Sequence, residues 1–145
     1  MPSPDGVRAW HAAVQVAART RELLSRIPAR GYADLRDQMI RSSESIGNNI
    51  AEGRGSAFAG EYVRFLDIAA RSASELSSQL TMAMAYGIVP TREGFNLNGT
   101  VICVRRMIES LRNAVQENHD VRRARQPAPR KRSARKGVLK HRKDQ

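Results

Sequence analysis

The chain has 145 residues, enough to bury one core; hydrophobic content is an ordinary 41%, but only 5% is aromatic, so that core must be aliphatic and alanine-rich. The net charge of +11 is concentrated: residues 121–145 hold eleven Lys/Arg against the single acid Asp144, while residues 1–120 are close to neutral at +1. One cysteine, Cys103, excludes an intramolecular disulfide and a multi-cysteine metal site, and no run approaches the ~18–20 apolar residues of a membrane span.

Residues 1–6 (MPSPDG) read as a polar leader. A first helix is expected from Trp10, Val14, Ala17, Leu24 and Ile27, spaced in threes, fours and sevens and stopped by Pro28 and Gly31. A second runs from about Tyr32 to Glu52, with Leu35, Met39, Ile46 and Ile50 on one face. Gly53-Arg54-Gly55 is expected to close it, since glycine readily takes the left-handed conformation. Where an ordinary amphipathic helix would carry leucine, this one carries Ser42, Ser43, Ser45, Gly47, Asn48 and Asn49, a composition suited to close approach or hydrogen bonding.

Ser56 is the expected N-cap of a third helix, about Ala57 to Tyr86. Tyr62, Phe65, Leu66, Ala69, Ala73, Leu76, Leu80 and Ala83 form its stripe, and Arg64, Asp67, Arg71 and Glu75 a ladder on an adjacent face. Gly87 and Pro90 stop it. The fourth helix, about Glu93 to Asn118, carries Leu97, Val101, Val104, Ile108, Leu111 and Val115 as an a/d seam. Cys103, inside VICV, is expected to be a buried, inert thiol. With no strand pattern, the expected fold is an all-α, up-down-up-down four-helix bundle over residues 7–120. Residues 121–145 are expected to be a disordered basic tail, and the whole chain cytoplasmic.

The second and third helices carry a resemblance. Arg41, Ser45, Ile46, Asn49, Ile50, Ala51, Glu52 and Gly53 match R-x-x-x-S-I-x-x-N-I-A-E-G. Glu61, Phe65, Leu66, Ile68, Ala69, Ser72, Glu75, Leu76, Gln79 and Leu80 match E-x-x-x-F-L-x-I-A-x-x-S-x-x-E-L-x-x-Q-L, and Trp10 matches a tryptophan near the start of the first helix. In these motifs, over about residues 7–118, the chain resembles the four-helix-bundle proteins named for 23S rRNA intervening sequences. Gly47 departs from that pattern where proline is frequent, and Arg71 where glycine often precedes the serine. The resemblance implies a left-handed four-helix bundle that forms a homo-oligomer, with a pentameric ring favoured, and association with nucleic acid. It also implies a protein-binding alternative, since related bundles are accessory subunits of retroelement reverse transcriptases.

The strongest functional feature is the basic segment. Arg122, Arg123, Arg125, Arg130, Lys131, Arg132, Arg135, Lys136, Lys140, Arg142 and Lys143 can each neutralise a phosphate, with RNA favoured over DNA as the partner. No aromatic residue interleaves them, which argues against base-specific reading. The motif residues Arg41, Ser45, Asn49, Glu52, Gly53 and Glu75 are read as structural. Asn49 and Glu52 share a helix face, and a buried amide there must be paired.

Arg112-Asn113 and His119, seven residues apart along one face, resemble the arginine, polar and histidine pattern of the HEPN ribonucleases. Arginine and histidine also suit a helix C-terminus on dipole grounds alone. No phosphate-binding glycine loop, Glu-x-x-His pair or zinc spacing is present, so no catalytic residue, cofactor or metal is expected.

Overall fold

The computed structural model describes residues 4–28 and 30–127. Four helices, α1 (Pro4–Ser25), α2 (Ala33–Gly55), α3 (Ala59–Ala85) and α4 (Thr91–Arg125), pack as α1–α2, α2–α3, α3–α4 and α4–α1. The diagonal pairs do not pack among the described residues, so the helices form a square around one core. Short connections make neighbours antiparallel. The all-α four-helix bundle expected from the periodicities is therefore the fold observed.

Aliphatic and alanine side chains fill the core. Ala13, Val16, Ile46, Ile50, Leu66, Leu76, Leu80, Val101 and Ile108 are fully buried, while Trp10 and Tyr62 pack only at its edge. The seam of α4 is the one expected, with Leu97 through Leu111 buried and Val115 at the margin. On α1 the stripe differs. Ala9, Ala13, Val16, Thr20, Leu23 and Leu24 face inward, and Val14 is exposed. Small side chains let α1 lie close to α2, where Ala13 faces Gly47. Thr20 returns its hydroxyl to the Val16 carbonyl at 2.8 Å and so is buried without an orphaned donor.

Several ends differ from expectation. Gly31 (φ 84°) and Gly87 (φ 72°) are the only positive-φ residues among those described, so Gly53 does not close α2 in the left-handed region. The helix continues through Gly55. Ser56 caps the end of α2, not the start of α3: its N–H donates to the Gly53 carbonyl and its hydroxyl to the Glu52 carbonyl. Phe58, in extended backbone, precedes α3. α4 runs seven residues past its expected end at Asn118, because Arg122, Arg123 and Arg125 complement the negative C-terminal dipole until Pro127 stops the turn. Cys103 is exposed, since a helix turns Val101 and Val104 inward and the residue between them outward.

Exposed ion pairs lie on three seams: Arg21–Glu44 at 2.7 Å, Arg26–Glu93 at 3.5 Å and Arg112–Asp67 at 3.0 Å. Each contributes at most ~1 kcal/mol, and they serve mainly to fix register. Asp67 thus pairs across to α4 and not along the ladder expected on α3. No helix among the described residues is long and apolar enough to cross a membrane.

Candidate nucleic-acid interface

The end of α4 is positioned by its register on α3. Arg112 Nε donates to Asp67 Oδ1 at 3.0 Å, and near the opposite end of α3 Gly94 lies against the Met84 side chain. Both contacts describe one antiparallel alignment, which sets Phe58, just before α3, level with Asp120–Val121. Arg122, Arg123 and Arg125 come next and lie beyond the end of α3. All three are exposed. On the other side, the Arg19–Thr100 and Arg26–Glu93 contacts align the start of α1 with residues near Val115. The stretch from Gln116 to Arg125 therefore projects past α1 by about 15 Å at 1.5 Å per residue.

The structure thus places three of the eleven candidate basic residues, Arg122, Arg123 and Arg125, on one helical turn where an unstructured segment was expected. Arg130, Lys131, Arg132, Arg135, Lys136, Lys140, Arg142 and Lys143 lie outside the described residues. The nearest acid on α4, Asp120, is engaged by Gln116 Nε2 at 2.9 Å and by His119 Nδ1 at 3.5 Å.

The motif residues separate into three groups. Ser45, Asn49 and Ser72 form a closed network between α2 and α3. Asn49 Nδ2 donates to the Ser45 carbonyl (2.8 Å) and to Ser45 Oγ (3.0 Å); Ser45 Oγ and Ser72 Oγ are 2.8 Å apart, and Ser72 Oγ donates to the Ile68 carbonyl at 3.1 Å. One proton assignment satisfies every contact, running from Asn49 to Ser45 to Ser72 to Ile68. The polar side chains of Ser45 and Asn49 are thus engaged within the bundle.

Arg41, Ser45 and Glu75 line an open groove of about 410 Å³ with Gln38, Ser42 and Gln79. Gln79 Oε1 is buried there without a hydrogen-bond partner among the described residues. Gly53 forms the third group with Tyr62: a Cβ on Gly53 would stand 2.6 Å from Tyr62 Cδ2. Burial raises the Tyr62 phenol above its ordinary pKa, with the Arg54 charge opposing the shift. Glu52 is exposed, and its backbone carbonyl accepts from the Ser56 hydroxyl.

Arg112 and Asn113 line a second open groove, of about 500 Å³, between α3 and α4. The Arg112 Nε is committed to Asp67, and His119 lies beside Asp120, so each sits with a carboxylate. Among the described residues no group of three His, Cys, Asp or Glu could hold a metal ion.

The sequence model of the 23S rRNA-intervening sequence protein family matches residues 6–110. The chain belongs to this family. A crystal structure of a Bacteroides thetaiotaomicron protein of unknown function, from the S23 ribosomal protein family, superposes with a TM-score of 0.68 at 18% identity. The alignment covers 75% of this chain and 98% of that one, and it bears on the fold alone. No curated protein matches. The family match of this 23S rRNA-intervening sequence protein ends at residue 110, before the projecting arginines. One residue escaped sequence reasoning: Phe58, 75% exposed at the same end of the bundle as Arg122. Its only signal was an aromatic among small residues in SAFAG, between two helices.

Proposed function

We propose that this 23S rRNA-intervening sequence protein is a non-enzymatic, oligomeric nucleic-acid-binding protein, cytoplasmic and RNA-favouring, that engages phosphates through the basic segment beginning at Arg122. The observation that carries this reading is the arginine turn at the end of α4. Arg122, Arg123 and Arg125 are exposed on a helix that projects beyond α1, at the start of a segment with net charge +10. Each cation brought to a phosphate releases condensed counterions, which gives affinity with a steep salt dependence and no sequence preference.

The groove between α2 and α3 supports self-association. The side chains of Gln38, Arg41, Glu75 and Gln79 line it with no hydrogen bond or ion pair among the described residues. A buried acceptor such as Gln79 Oε1 costs ~1–3 kcal/mol while unsatisfied, a cost that a second copy seated in the groove would relieve. A pentameric ring is the favoured assembly. Several arginine turns on one ring would raise a weak contact by ~10²–10⁴ through avidity.

The test is RNA and DNA binding across a salt series, comparing the full chain with a chain ending at Asp120. That truncation keeps every core residue of α4, whose packing ends at Val115. Binding confined to the full chain supports the proposal, and no binding by the full chain at low salt removes it.

A further inference from the structure

We propose that Phe58 and the arginine turn of α4 together form a site for single-stranded nucleic acid, with an unpaired base stacked on the Phe58 ring and its flanking phosphates held by Arg122 and Arg125. This rests on the nucleic-acid reading and narrows it to a ligand class. The arginine-rich segment itself has no aromatic residue, and from composition alone it can follow a backbone but not grip a base. The fold supplies the missing aromatic from a different part of the chain.

Three observations carry the inference. The first is proximity. The alignment fixed by Arg112–Asp67 and Met84–Gly94 brings Phe58 level with Asp120–Val121, just before Arg122, on helices that pack against each other. Neighbouring helix axes lie about 8–10 Å apart, within the span of one nucleotide and two long side chains. The second is direction. Ile108, Val115 and Arg122 follow one another at seven-residue steps, so Arg122 continues the stripe that faces the bundle, but one turn past the point where the bundle ends. It is therefore turned towards the end face that carries Phe58, and Arg125 lies close to it on the same side.

The third observation is presentation. Phe58 is 75% exposed, the most exposed of the large apolar side chains among the described residues, although its backbone is held between the capped end of α2 and the first turn of α3. Tyr62 N–H donates to its carbonyl at 3.1 Å. A ring fixed at its root and open on its faces is suited to stacking at low entropic cost.

The acids nearby do not fill the site. Asp120 is engaged by Gln116 and His119, and Glu117 and Asp120 fall on the opposite side of α4 from Arg122 by helical phase. The other negative charges towards this end among the described residues are Glu61 in the first turn of α3, Glu52 in the last turn of α2 and Asp5 in the first turn of α1, which lies beside Arg8. Duplexes keep their bases stacked inside and offer Phe58 no face, whereas a single strand offers one at every residue. The combination selects single strands.

The test measures the affinity of the full-length protein for a 12-nucleotide single-stranded RNA and for its duplex at one salt concentration. The wild type is expected to prefer the single strand. Phe58→Ala, an exposed position whose fold is checked by circular dichroism, should lose about five- to a hundredfold in single-strand affinity with the salt slope unchanged. Its duplex affinity should stay within about twofold. Phe58→Trp should retain single-strand binding and show indole quenching beyond that of Trp10 in the wild type. Equal single-strand affinity of Phe58→Ala and wild type overturns the inference while leaving phosphate binding through the arginines intact. Absence of any binding by the wild type removes both.

Discussion

Gly53 on α2 lies against the ring of Tyr62 on α3 so closely that a methyl group at position 53 would stand 2.6 Å from Tyr62 Cδ2 and 3.1 Å from Phe65 Cβ. The glycine of the family motif is thus present for helix approach, and its backbone is ordinarily helical. Neither obstacle is the free end of a flexible chain, so the helices themselves must shift. Gly53→Ala should destabilise the protein by about 1–3 kcal/mol, read as a lower urea midpoint at unchanged slope. An unchanged midpoint would show that the seam yields easily.

Gly99, in the middle of α4, has nothing within 4 Å of where its Cβ would be. Gly99→Ala should therefore raise stability by about 0.5–1 kcal/mol through helix propensity alone. The two glycines predict opposite signs in the same denaturation experiment. A destabilised Gly99→Ala would mean that this face of α4 is covered.

The Asn49–Ser45–Ser72 network makes an asymmetric prediction. Ser72→Ala leaves the Ser45 hydroxyl without its acceptor and should cost about 1–2 kcal/mol. A double mutant with Ser45→Ala should cost less than the sum of the two single changes, since the hydroxyls form one unit. Additivity of the two costs would show that the two hydroxyls are not coupled.

Tyr62 provides a pH test. Burial raises its phenol above the ordinary value of 10.0, so the folded state holds the proton more tightly than the unfolded state. The contribution is fully present below the unfolded value of 10.0 and is lost as the pH rises through the folded value. Stability should fall across that alkaline window, and Tyr62→Phe should flatten the fall in a denaturation series. An equal fall in both proteins would place the transition elsewhere.

Much of this is legible in the sequence, and what is not has specific causes. The α4 seam from Leu97 to Leu111 stands out because its apolar residues occupy a single face. On α1, Val14 reads as core and is exposed, because alanines and apolar residues surround the helix and Ala13 and Val16 take the inner positions. The Gly53-Arg54-Gly55 triplet looks like a stop signal, yet the space required at Gly53 is set by Tyr62, which only tertiary packing reveals. Composition marks the arginines of residues 122–125 as a tail, and dipole complementarity adds them to α4. Phe58 cannot be linked to them without the α3–α4 alignment, since 64 residues separate it from Arg122.

The central claim is that phosphates are held by the arginine turn at the end of α4. The direct measurement is the salt dependence of RNA affinity for the wild type and for Arg122→Gln/Arg123→Gln/Arg125→Gln, with the log of affinity plotted against the log of salt concentration. Neutralising the three arginines should lower affinity at every salt concentration and make the slope shallower by about 0.7 for each phosphate that is no longer engaged on a single strand. An unchanged slope and affinity in the triple variant would contradict the account.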